Sequence, residues 1–289
     1  MWMDVLKSFI GIAGELIILF VLISFLINLV QGFIPYDKLQ KYMSGGNGLL
    51  AALVALVLAF ITPFCSCSTI PVVVNMLNKK MRFGIVMIFL FSSPVLDPTI
   101  LTLMTATLGT KVTVIYTVVT SLLSVIIGFT LEKLGFETAV KNVMMTGFQE
   151  LTVSKFNFKA ALKDTVTLMR TVLPYLIIGA GIGSIIHGAV PTSFITEYFG
   201  GDHWWLVPVA AIIGIPLYIR LSTMIPISQI MIAKGMALGP VMALIISSSG
   251  ASLPELTLLN SIFHKRLVVA FVISVFSMAT FSGLLFYFV

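Results

Sequence analysis

Apolar residues in this chain come in long unbroken runs, without the stripes of a soluble helix or the alternation of a half-buried strand. The runs lie near 9–33, 48–77, 84–108, 112–131, 167–190, 204–233, 238–258 and 267–288. Each approaches or exceeds the roughly 20 apolar residues with which an α-helix crosses the hydrocarbon core. They predict an all-α integral membrane protein of about eight transmembrane helices. The longest hydrophilic connection, 132–164, separates the first four runs from the last four. The expected organisation is a first membrane unit over 1–131, a cytoplasmic connector over 132–164 and a second membrane unit over 165–289. The run at 9–33 reads as a first span. It is too long for a signal-peptide core and lacks a small-residue cleavage site.

The second unit repeats the first at an offset of 155 residues. Ile70–Leu103 matches Ile225–Leu258 without gaps at Pro71/Pro226, Lys79/Lys234, Met81/Met236, Gly84/Gly239, Ser92/Ser247 and Ser93/Ser248, among others. Apolar bias does not produce Pro, Lys, Gly and Ser matches in register. Four crossings per unit is an even number, which predicts parallel repeats about an axis along the membrane normal. Both units are interrupted at matching places: Pro63 to Pro71 and Pro216 to Pro226, then Ser92-Ser93-Pro94-Val95-Leu96-Asp97-Pro98 and Ser247 to Pro254. Breaks at matching places in two halves point to a transport site near the midplane.

Composition narrows the class. The chain is 58% hydrophobic and 10% charged, against about 25% charged in a soluble domain. That leaves no room for a separate catalytic domain. The net charge of +6 fits basic cytoplasmic loops better than nucleic-acid binding, and eight crossings with the basic side inward place both termini in the cytoplasm. The sequence contains no Walker A, HExxH or GxSxG pattern, so neither an enzyme nor a cofactor is expected.

The candidate chemistry sits in the breaks. The only two cysteines, Cys65 and Cys67, flank Ser66 and precede Ser68 and Thr69. Polar groups at bilayer depth are functional candidates by default. Two thiolates suit soft ions such as Cu(I), Zn(II) or trivalent arsenic, whereas buried thiols also serve as small apolar fillers. Arg220 aligns with Cys65. A mid-span charge needs a partner, and Asp97, Glu15 and Glu255 are the intramembrane candidates. Arg220 either holds an anionic group or makes a structural ion pair. Asp97, between Pro94 and Pro98, is the preferred carboxylate for carrying a proton, and Glu255 is expected nearer the outer interface. Ser92, Ser93, Ser222 and Ser248 either offer hydroxyls to a substrate or let helices pack closely. His203, Trp204 and Trp205 read as an interface belt.

Thr62-Pro63-Phe64-Cys65-Ser66-Cys67-Ser68-Thr69-Ile70-Pro71, with Ser92-Ser93-Pro94 and Asp97-Pro98 and two similar halves, resembles the bacterial predicted-permease family that includes the ArsP organoarsenical efflux permeases and the YraQ-like permeases. The resemblance covers nearly the whole chain. It implies an inner-membrane permease and, for the ArsP branch, extrusion of trivalent organoarsenicals with cysteine thiols in binding. Carry-over is confined to Cys65 and Cys67. With 2 cysteines in the chain, a three-thiol arsenite site within one chain is excluded. The expected function is efflux of a small thiophilic solute. The alternative is a membrane subunit handling zinc or copper with a partner protein. A membrane enzyme using a Cys nucleophile ranks last, because no general base stands beside the thiols. The expected partners are the lipid bilayer and a small-molecule or soft-metal substrate, with no nucleic acid.

Overall fold

The computed structural model describes residues 14, 18, 48–61, 66–141, 203–216, 224, 228–229, 231–232 and 235–287. Among them the chain is all-helical. The helices are α1 (Gly48–Ile61), α2 (Ser66–Asn78), α3 (Phe83–Ser92), α4 (Pro98–Leu108), α5 (Thr110–Lys133), α6 (Leu206–Gly214), α7 (Leu238–Gly250), α8 (Leu253–Ile262) and α9 (Lys265–Leu285), with a 3-10 turn at Phe136–Ala139. Extended pairing among the described residues includes an isolated antiparallel bridge, Val140 to Phe263.

Among the described residues two helices, α5 and α9, are long and apolar enough to cross a membrane. The faces of α5 are inverted relative to a soluble helix. The buried side of α5 is Thr113, Tyr116, Thr120, Ser124, Gly128 and Leu131, while Val114, Val118, Leu122 and Ile126, four residues apart, stand exposed. Small and polar residues inward with branched apolar residues outward is the arrangement for a lipid solvent. Hydroxyls on this helix bond their own backbone, as Thr113 to the Gly109 carbonyl and Thr120 to the Tyr116 carbonyl. That satisfies them where no water is present.

Helix α3 has every residue from Phe83 to Ser92 buried. It is the central rod of its cluster, packed by α1, α2 and α5. Ala51, Ala52, Ala55 and Ala59 of α1 face inward, so the backbones lie close. Helix α2 ends in a Schellman turn: the Lys80 N–H donates to the Leu77 carbonyl at 2.9 Å and the Met81 N–H to the Met76 carbonyl at 3.2 Å. Lys80 takes the left-handed conformation (φ 56) that usually calls for glycine. The same two bonds recur at Gly235 (φ 94) and Met236.

The expected crossing at 48–77 takes a different form. Gly48, at the start of α1, lies against Arg82 and Phe129. Arg82 follows the turn that ends α2. Both outer ends of the α1–α2 segment therefore sit at one end of the bundle, where α5 also finishes. Helix α1 alone, at 14 residues, rises roughly 21 Å, short of the ~30 Å core. The 84–108 run is likewise two helices, α3 and α4, because the backbone leaves the helix between Ser93 and Asp97. Pro98 then restarts it, since the residue before a proline avoids the helical region.

An ion pair closes this end. Arg82 Nε and Nη2 donate to Glu132 Oε1 and Oε2, both at 3.2 Å, with the guanidinium over the Phe129 ring at 6.0 Å. The side chains are 40% and 22% exposed, so the pair is screened. Arg82→Ala is expected to lower stability by about 1 kcal/mol or less, read as a small fall in the thermal midpoint of the full chain in detergent.

Helices α5 and α9 run antiparallel. Beyond the end of α5, the Lys141 N–H donates to the Ile262 carbonyl at 3.0 Å, and the His264 N–H, just before α9, donates to the Ala139 carbonyl at 2.9 Å. So α9 begins where α5 ends. Midway, Ser124 Oγ lies 3.9 Å from Met278 Sδ. The core has two parts, and each draws on both stretches of chain. One joins α1, α2 and α3 to Ala251, Leu258, Ile262 and Phe271. The other joins α6 and α7 to Val95, Leu101, Met104 and Tyr116.

Candidate substrate site

Helix α2 starts at Ser66, so Ser66, Cys67 and Ser68 occupy its first turn. Cys65, Arg220 and Ser222 lie outside the described residues. Pro71, the sixth residue of α2, lacks the N–H that would bond the Cys67 carbonyl, which leaves a gap in the helix ladder there.

The structure brings together Thr69 and Ser93. Both are fully buried, and their hydroxyls meet at 3.1 Å. This bond joins the helix that carries Cys67 to the break between α3 and α4. Ser92 is turned into its own helix, with Oγ donating to the Ile88 carbonyl at 2.6 Å. The Tyr116 hydroxyl donates to the Val95 carbonyl at 3.1 Å, so α5 satisfies a backbone acceptor that the break leaves open. The Asp97 carbonyl accepts the Leu101 N–H at 3.0 Å to start α4, and its side chain is half-buried.

The serine run of α7 resolves toward packing. Ser247, Ser248 and Ser249 donate to the carbonyls of Leu244, Ile245 and Ile246 at 3.3, 3.1 and 3.0 Å. Ser247 also rests against Gly214 of α6, where a Cβ would collide with its hydroxyl. Ser248 is buried in the same helix and shares this self-satisfied pattern.

Glu255, one of the intramembrane carboxylates of the sequence and ranked there behind Asp97, is 0% exposed. It sits in the first turn of α8, immediately after the break at Ala251 and Ser252, and α8 packs on α2. The signal was the Ser247–Pro254 interruption itself, read for its serines and not for the acid behind it. Among the described residues no group of three or more His, Cys, Asp or Glu side chains is placed to hold a metal ion.

A family model described as a predicted permease, ArsP_1, matches residues 1–288. The UPF0718 protein MJ0584 of Methanocaldococcus jannaschii is 28% identical over 156 residues, 54% of this chain and 42% of that protein. The UPF0718 protein YraQ of Escherichia coli is 26% identical over 246 residues, 83% of this chain and 68% of that protein. The chain thus spans less than half the length of the first of these relatives and about two thirds of the second. No solved structure matches.

Proposed function

Since the chain belongs to the ArsP_1 predicted-permease family, we propose that it is a secondary transporter that exports a small thiophilic solute, such as a trivalent organoarsenical, past the thiols of Cys65 and Cys67. Permeases move solutes and are not enzymes. The observation that carries the reading is the Thr69–Ser93 bond. It holds the helix that carries Cys67 against a second helix break, and broken helices that meet inside a bundle are where transporters bind substrate.

We read the protein as two inverted units, each with three crossings and one re-entrant hairpin. The first hairpin is 48–78 and the second 203–233. Support comes from the 155-residue offset at the level of elements: α3 and α7, α4 and α8, and α5 and α9 start in register. Buried Ala51, Ala55 and Ala59 correspond to buried Leu206, Ala210 and Gly214. Lys80 and Gly235 share their left-handed turn. The close backbone approach of Gly84 and Gly128 corresponds to that of Gly239 and Gly283.

Inversion is supported separately. Gln229 Nε2 donates to the Thr107 carbonyl at 2.8 Å, which sets the outgoing arm of the second hairpin at the α4–α5 end of the bundle. The Val140–Phe263 bridge sets the α8–α9 turn at the opposite end, beside the end of α5. The parallel arrangement expected from eight crossings counted the hairpin as a span. Without it each unit crosses an odd number of times, and the second must enter from the other side.

This also redistributes charge. Lys79, Lys80, Arg82, Lys133, Lys141, Lys265 and Arg266 fall at one end, with Lys111 at the other. We assign the basic end to the cytoplasm. The sequence segments before 9–33 and after α9 then lie on the far side, in place of the cytoplasmic termini that eight crossings implied.

The thiol reading is tested in a strain sensitised to methylarsenite. Cys65→Ser and Cys67→Ser are each expected to abolish resistance at normal membrane abundance. Full resistance in the double serine variant, or a phenotype confined to zinc or copper, would remove the organoarsenical assignment.

A further inference from the structure

Glu255 is a carboxylate with no role in the site so far described. It is 0% exposed, and among the described residues neither Oε1 nor Oε2 has a hydrogen-bond partner. The Ser252 hydroxyl, three residues earlier, is also buried and unpartnered. A Ser-x-x-Glu spacing at a helix start is that of a capping box, in which the Ser252 N–H would serve the carboxylate. The N–H lies nearby, yet no bond of normal geometry forms. Even a complete box would occupy one oxygen. An ionised carboxylate in such surroundings is costly unless it is paired or protonated.

Among the described residues, the elements packed around Glu255 supply no cation at this level. Helix α8 packs on α2 and α9 and on the segment after α5. The one ionisable side chain of α2 is the Cys67 thiol. On α9 the charged groups are Lys265 and Arg266, exposed in its first turn. In the remaining segment Glu137 is exposed and Lys141 Nζ is engaged by the Asn260 carbonyl, at the far end of α8.

We propose that Glu255, with the Ser252 hydroxyl beside it, is the proton-binding site that couples transport to the proton gradient. The carboxylic acid is neutral while the α2–α8 contact is closed. It gives its proton to water when that contact opens to the other side. Because α8 packs on the helix bearing Cys67, solute and proton sites share one moving contact. The proposal rests on the transporter reading above, and it takes the place of Asp97, the carboxylate first expected to carry the proton.

The test has two arms. In the first, the purified full chain in lipid nanodiscs is examined by infrared spectroscopy with no substrate. A carboxylic-acid C=O band is expected in the wild type at neutral pH. Glu255→Gln should remove it, and Glu255→Asp should move it. In the second arm, pH-driven methylarsenite accumulation is followed in everted membrane vesicles. Glu255→Gln should lose it, and Glu255→Asp should restore part of it. A wild type that moves no methylarsenite but shows the Glu255 band would sink the substrate assignment and leave the proton site standing. Absence of the band at every pH where the protein is folded would overturn the proposal. So would its appearance only after Arg220→Gln, which would make Glu255 the partner of a structural ion pair. Wild-type pH-driven accumulation in Glu255→Gln would overturn it equally.

Discussion

A phosphatase reporter fused behind α9 is expected to be active, and a fluorescent protein fused at the same place dark, because we assign the end of α9 to the side away from the cytoplasm. Fusions within 142–163 should give the reverse pattern. The difference is all-or-none, since each reporter works on one side only. The His264 to Ala139 bond starts α9 beside the end of α5, so a crossing α9 finishes on the opposite side. If 203–233 crossed fully, the second unit would cross an even number of times and the C-terminal fusion would fluoresce. A fluorescent C-terminal fusion with an inactive phosphatase would therefore restore the parallel arrangement. A labelling experiment gives the same answer without a fusion. With Cys65 and Cys67 replaced by serine, a cysteine introduced by Lys80→Cys should react from the cytoplasmic side, and one introduced by Lys111→Cys from the other.

The class of protein was readable from the sequence, and the reason is energetic. With 10% charged residues no soluble surface can be made, so helices in lipid are the remaining solution. Where helices break was readable too. Pro98 and Pro254 stand at helix starts, as the proline φ angle and missing N–H require. Whether an apolar run crosses or returns was not readable. Thirty apolar residues have the same composition in both cases. What separates them is a non-local contact, Gly48 with Arg82, between residues far apart in sequence. The burial of Glu255 depends on another non-local contact, because α8 is a separate short helix packed against α2. The serines illustrate a limit of residue chemistry. Ser93 and Ser247 look alike in their runs, yet one bonds across to Thr69 and the other bonds its own helix and packs on Gly214.

Gly128→Val and Gly283→Val are expected to abolish the folded state, and to do so for the same physical reason. A Cβ at Gly128 would lie 2.5 Å from Ile88 Cγ1 and 2.7 Å from the Gly84 carbonyl. One at Gly283 would lie 2.6 Å from Val207 Cγ1 and 2.8 Å from the Gly239 carbonyl. A side chain such as Ile88 can turn aside, but a backbone carbonyl moves only with its helix. Opening the α3–α5 or α7–α9 contact by that much strips the dispersion contacts of a fully buried rod. Overpacking commonly costs about 1–3 kcal/mol, and a clash that includes a backbone carbonyl belongs at or above the top of that range. Set against a native stability of roughly 5–15 kcal/mol, that cost takes most of the margin of a protein at the lower end. The contrast is Gly235, which is needed for its φ of 94 while nothing lies within 4 Å of a Cβ there. Lys80 holds the equivalent turn at φ 56 without being glycine, so Gly235→Lys should cost only the left-handed penalty of roughly 1–2 kcal/mol. Size-exclusion profiles of the full chain in detergent, followed by thermal unfolding, distinguish these cases. The valine variants should aggregate or vanish, and Gly235→Lys should run as a single peak with a modestly lowered midpoint. A monodisperse Gly128→Val with the wild-type midpoint would mean that α3 and α5 do not meet at these glycines, and the inverted pairing built on the Gly84–Gly128 and Gly239–Gly283 correspondence would lose its closest contact.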